Sequence, residues 1–196
     1  MSWLSENYLE ITGFLSSLIF VFYSIKLKTI AWFWAIVSSA ISATFFLQLQ
    51  LFGDAILQLF FIVSSFYGWY AWLQKPLKSH KKPIIITFLS KKQQFILLIW
   101  AISIWGLSLL LLSFLKGDFI YWDSLTTTLS IIATWLAARK YIENWLLWIV
   151  TDCIYTCMYF AKNAYWYALL YALFTFLAWK GYLAWKQMYQ KTEIAL

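Results

Sequence analysis

Residues 144–160 read NWLLWIVTDCIYTCMYF. The stretch is apolar enough to lie in hydrocarbon, yet it carries a carboxylate, Asp152, well inside it. At a helical rise of roughly 1.5 Å per residue, Asp152 stands about 12 Å from the end of a helix that begins near Asn144, close to the midplane of a roughly 30 Å hydrocarbon core. An aspartate at that depth costs about 2.5 to 3.5 kcal/mol on insertion scales, so it turns to a protein interior or a wet cavity rather than to lipid. Trp145, Trp148 and Asp152 stand at i, i+3 and i+7, which puts two indoles and the acid on one helical face. The expectation is half of a binding cavity.

The rest of the chain agrees with a membrane setting. Its 196 residues are 63% hydrophobic and 12% charged, with a mean hydropathy of +0.72. Soluble domains carry about a quarter charged residues. An all-α, polytopic membrane protein follows. The opening MSWLSENYLE lacks a basic n-region, so no cleavable signal is expected. A net charge of +7 invites a nucleic-acid reading, but the lysines cluster in alternate loops, as membrane topology requires. Cys153 and Cys157 form an i, i+4 pair without His or further Cys at metal spacing and read as small packing residues.

Apolar runs define seven transmembrane helices, near 11–26, 30–50, 54–74, 95–115, 122–138, 144–161 and 164–186. The fifth, with DSLTTTLSIIAT, is only moderately apolar and ill suited to face lipid. Domain division follows: a three-helix bundle over 11–74, a basic loop and linker helix over 75–121, a second bundle over 122–186, and a cytoplasmic tail over 187–196. One set of loops and the tail carry Lys26, Lys28, Lys75, Lys78, Lys81, Lys82, Lys91, Lys92, Arg139, Lys140, Lys186 and Lys191. The other set has only Lys116 and Lys162 against Glu6, Glu10, Asp54 and Asp118. The positive-inside bias therefore puts the N-terminus outside and the C-terminus in the cytoplasm. Pro76 and Pro83 argue against a continuous helix through the basic loop, and His80 within it reads as a solvated residue.

Sliding the sequence by 113 positions matches Trp32 with Trp145, Ala55 with Ala168, Phe61 with Phe174, Gly68 with Gly181 and Trp72 with Trp185. Glu10 falls on Asp123 and Lys26 on Arg139. A 3+1+3 parallel repeat is expected, the odd fourth helix restoring orientation, with a small molecule held between repeats near the midplane.

Three helices offer polar stripes. The fifth has Asp123, Thr127, Ser130 and Thr134; the third has Gln58, Ser65, Trp69 and Trp72; the sixth has Trp145, Trp148, Asp152, Tyr155 and Tyr159. A single Thr or Ser is adequately explained by back-bonding to its own helix. Asp152 and Gln58 are not, because lipid supplies no partner for either. Stacked indoles beside a carboxylate suit a flat cationic ring, through cation–π attraction of about 2 kcal/mol when desolvated. Nothing reads as an enzyme: no nucleophile lies beside a base, no glycine loop cradles phosphate, and no metal cluster or cofactor is implied.

The segments NYLEITG, LQLFFIVSSFYGWYAWL, WDSLTTTLS and ARKYIENWLLWIVTD resemble the PnuC family of bacterial vitamin transporters over nearly the whole chain. The family's W-x-x-W-x-x-x-N/D pattern is met by Trp145, Trp148 and Asp152. Its Q-x-F-F and Y-G-W-Y-x-W elements are met from Gln58 to Phe61 and from Tyr67 to Trp72. The resemblance implies a SWEET-like pair of three-helix bundles, a homotrimer in inner-membrane lipid, and facilitated diffusion of nicotinamide riboside, trapped inside by a cytosolic kinase. The similar PnuT relatives carry thiamine, also a cationic aromatic ring, and remain an alternative. Proton-coupled uptake through Asp152 is a further one.

Overall fold

The computed structural model describes residues 8–48, 52–74, 86–114 and 120–194, apart from the side chains of 52–54 and 193. Among these residues the regular elements are seven helices: α1 (Tyr8–Ile25), α2 (Ile30–Gln48), α3 (Phe52–Leu73), α4 (Lys91–Ser113), α5 (Ile120–Ala138), α6 (Glu143–Ala161) and α7 (Tyr165–Ile194). Each corresponds to one expected span, with most ends shifted by a few residues. The basic run from Lys75 to Lys82, with Pro76 and His80, lies outside the described residues, as do Pro83, Lys116, Asp118, Glu6 and the side chain of Asp54.

Two ends differ for reasons visible in the packing. Helix α4 begins at Lys91 because Ser90 caps it: the Ser90 hydroxyl accepts from the Gln93 amide and the Gln93 side chain accepts from the Ser90 amide. The expected tail from 187 onward is helical through Ile194. Its KQMYQKTE run is made largely of good helix formers. Tyr189, in the first of the roughly two extra turns, also packs edge-on against Phe88 at 5.2 Å.

Five of the helices, all but α5 and α6, are long and apolar enough to cross a membrane by length and composition. The two that fall short carry most of the buried polar residues: Ser124, Thr126, Thr128, Ser130 and Thr134 on α5, and Asn144, Thr151 and Asp152 on α6. Low apolarity in α5 thus marks a helix shielded by its neighbours.

The chain forms two compact units, Met1–Ile84 with α1 to α3 and Ile85–Leu196 with α4 to α7. In the first, α2 packs on both α1 and α3. Small residues make the seams, among them Ser16, Ala31, Ala35, Ser39 and Ala55, which let backbones approach where lipid offers no hydrophobic drive. In the second unit α4 packs on α5, α5 on α6 and α6 on α7. Helix α4 thus lies in the second unit, packed on α5.

At the α5–α6 turn, segment 86–90 is bound to the connection. The Thr87 amide donates to the Lys140 carbonyl at 3.3 Å and the Ile142 amide to the Thr87 carbonyl at 3.0 Å. The Leu89 amide donates to Glu143 Oε1 at 2.8 Å, and Gln93 Nε2 to the Tyr141 hydroxyl at 2.8 Å. Leu89, Ile132 and Leu136 form the apolar core beneath. Burial pushes the ammonium of Lys140, in this turn, below its ordinary pKa.

Local geometry recurs at the 113-residue spacing. Helices α1 and α5 end at Ile25 and Ala138, and α2 and α6 run over Ile30–Gln48 and Glu143–Ala161. Leu27 and Lys140 both adopt positive φ, 53° and 58°. Each closes its helix with the same pair of bonds: Leu27 N to Ser24 O and Lys28 N to Tyr23 O, answered by Lys140 N to Ala137 O and Tyr141 N to Leu136 O, all 3.0 Å. These are Schellman closures built on a left-handed residue that is not glycine.

Candidate functional site

Helix α6 carries the acid that the sequence singled out. Asp152 is buried, at 7% exposure, which fits a carboxylate kept from lipid. Thr156 donates its hydroxyl to the Asp152 backbone carbonyl at 2.7 Å, so that threonine is occupied by its own helix.

The two indoles on the same face differ in how far they are buried. Trp145 is 3% exposed; a Cβ built on Gly181 of α7 would lie 2.6 Å from its ring, and Trp185 meets it edge-on at 5.5 Å and 89°. Its surface is consumed by α7, and its Nε1 has no hydrogen-bond partner among the described residues. Trp148 is only half-buried, which leaves it as the indole with surface to offer near Asp152. Tyr155, also half-buried, follows on α6.

The first unit repeats the wedge. Trp32 stands against Gly68, where a Cβ would come within 2.5 Å of the ring, and meets Trp72 edge-on at 5.4 Å and 86°. Trp72 is thereby taken up in packing at 7% exposure. Trp69 is half-buried with its ring 6.1 Å from Phe33, Gln58 is half-buried, and Ser65 is buried.

On α5 the hydroxyls mostly serve their own helix. Thr134 donates to the Ser130 carbonyl at 2.8 Å, Thr128 to the Ser124 carbonyl at 2.8 Å, and Thr126 to that of Trp122 at 3.0 Å. Thr127 is half-buried. Thr151 on α6 is fully buried, and its hydroxyl has no partner among the described residues. Cys153 and Cys157 are exposed free thiols rather than interior packing residues, with Cys153 Sγ 3.9 Å from the Thr175 hydroxyl. Among the described residues no group of three or more His, Cys, Asp or Glu is placed to hold a metal ion.

One cluster escaped the sequence reading. Four tyrosines form a column alternating between α6 and α7: Tyr155 to Tyr171 at 4.8 Å, Tyr171 to Tyr159 at 5.3 Å and 7°, and Tyr159 to Tyr167 at 5.2 Å and 23°. Tyr171 is hydrogen-bonded to Tyr159 and lies near Asp152. The sequence holds only half of the signal: Tyr155 and Tyr159, and Tyr167 and Tyr171, stand four apart and so share a face on each helix, but nothing local says that the two faces meet.

Residues 7–187 match the family model described as nicotinamide mononucleotide transporter. Two similar relatives are the nicotinamide riboside transporters PnuC of Escherichia coli (strain K12) and of Shigella flexneri. Each is 26% identical over 203 residues, covering 91% of this chain and 85% of the relative. A crystal structure of the vitamin B3 transporter PnuC superposes with a TM-score of 0.76, covering 95% of this chain and 84% of that one at 18% identity, a likeness of fold.

Proposed function

The chain belongs to the nicotinamide mononucleotide transporter family, and on that footing we propose that it moves nicotinamide riboside across the bacterial inner membrane by facilitated diffusion. The observation that carries the proposal is Asp152, a buried acid on a membrane helix with a half-buried indole, Trp148, on the same face. The pyridinium of nicotinamide riboside is flat and positively charged. A ring of that kind gains from an aromatic face and from a carboxylate that offsets its charge. The names of the relatives support the same substrate.

In this reading Asp152 neutralises the ring, Trp148 and Tyr155 stack along it, and Gln58, Ser65, Trp69 and Thr127 keep the polar and aromatic roles the sequence assigns them. Trp72, Trp145 and Thr134 act behind the site, as packing. Carriage is uniport, and a cytosolic kinase that phosphorylates the riboside makes uptake one-way. The N-terminus lies outside and the C-terminus in the cytoplasm, consistent with Arg139 and Lys140 at one end of α6 and the lysine-rich end of α7. The working assembly is a homotrimer, and the triplets of helices are copies of one three-helix, SWEET-like unit.

Calorimetry on the detergent-purified chain, with nicotinamide riboside and thiamine titrated side by side, tests the substrate. Counterflow of labelled riboside into proteoliposomes tests carriage. Tight riboside binding with counterflow is expected; tighter binding of thiamine, or binding without counterflow, overturns the reading. Uptake that rises with an imposed proton gradient removes uniport in favour of proton coupling.

A further inference from the structure

We propose that the tyrosine column of α6 and α7 is a second subsite for a flat aromatic cation, through which the substrate passes on its way to Asp152. The proposal rests on the reading of the chain as a carrier of such a cation, and its geometry lies wholly within the second unit.

The column begins beside the acid and leads away from it. Tyr155 is one turn beyond Asp152 on α6 and Tyr159 one turn further, while Tyr171 and Tyr167 interleave from α7. The rings run toward the α6–α7 connection at Lys162 and Asn163, the end that the lysine distribution places outside. As residues all four are half-buried, and the inner pair, Tyr171 and Tyr159, is covered by rings on both sides.

A helix-to-helix zipper would have the same spacing, and chemistry separates the two roles. Zipping needs only apolar rings, and phenylalanine would supply them without four hydroxyls that have to be satisfied within a membrane. Within the column Tyr171 and Tyr159 each lie between two rings, so it is the end rings, Tyr155 beside the acid and Tyr167 toward the connection, whose faces, negative in potential, can attract a cation. Repetition points the same way. The position of Tyr171 is that of Gln58 in the first triplet, a polar residue in a span where lipid offers no partner.

The test uses the full chain in proteoliposomes with nicotinamide riboside as the probe. In Tyr167→Leu the KM for uptake is expected to rise about three- to tenfold, while the calorimetric Kd stays within about twofold of wild type. The association rate, followed by tryptophan fluorescence, falls with the rise in KM. An unchanged KM and association rate with a lowered melting temperature overturns the subsite and leaves a helix contact. Should Tyr167→Leu fail to fold, phenylalanine of increasing ring fluorination at position 167 keeps the shape while draining charge from the ring face. A stepwise rise in KM along that series supports the subsite; a flat series overturns it. Wild-type protein that neither binds nor moves the riboside refutes the carrier reading itself, a result obtained before any variant is made.

Discussion

Trp145 lies so close to Gly181 that a Cβ on the glycine would stand 2.6 Å from three carbons of the indole, and Trp32 and Gly68 meet in the same way at 2.5 Å. A tryptophan set into a glycine notch brings α6 against α7 and α2 against α3 more closely than any residue with a side chain would allow. The same notch decides how these helices respond to substitution.

Gly181→Ala and Gly68→Ala are each expected to destabilise the protein by about 1 to 3 kcal/mol, although alanine is the better helix former. The obstacle is a rigid ring that cannot swing aside. Thermal unfolding in detergent checks this, and Trp145→Phe combined with Gly181→Ala is expected to recover part of the loss.

Trp145 and Trp148, one turn apart on α6, are expected to respond oppositely. Trp145→Ala removes a ring buried at 3% exposure and lowers stability by about 3 to 5 kcal/mol. Trp148→Ala leaves stability nearly unchanged and weakens riboside binding about tenfold. Melting curves and calorimetry on the same two preparations separate the effects; equal behaviour of the two indoles would refute the division of roles.

Asp152→Asn keeps shape and removes charge. Binding of the riboside is expected to fall about 10- to 100-fold, because the cation loses its counter-charge in a poorly solvated place. Thermal stability is expected to hold or to rise, since a buried carboxylate is costly in the empty protein. A calorimetric Kd equal to wild type would show that the acid serves the fold alone.

Glu143 bonds segment 86–90 to the start of α6 through Leu89 N at 2.8 Å. In Glu143→Ala that amide loses its acceptor, with a cost of about 1 to 3 kcal/mol. Hydrogen exchange of the Leu89 amide is expected to quicken more than that of amides in the middle of α4. Unchanged protection at Leu89 would mean that the backbone bridge between Thr87 and Tyr141 holds the segment unaided.

Much of the fold was legible in the chain because hydrocarbon is a strict solvent. Backbone groups must be satisfied within each helix, so length and apolarity mark five of the seven helices outright, while α5 and α6, more polar, show in the sequence as shorter apolar runs whose polar residues call for shielding. The extension of α7 to Ile194 is favoured locally by the helix formers past 186, but its contact with Phe88, about a hundred residues earlier in the chain, through Tyr189 is not written in any local pattern.

For the candidate site, the sequence by itself determined that Asp152 could not face lipid and that Trp145 and Trp148 share its helical face, since periodicity fixes direction along one helix. Which indole is spent on packing, and which keeps a surface, only the tertiary structure decided. That outcome depends on Gly181 and Trp185 of a neighbouring helix taking up Trp145 and leaving Trp148 half-covered. The tyrosine column has the same origin: α6 and α7 each present two rings, and their interleaving exists only once the helices are side by side.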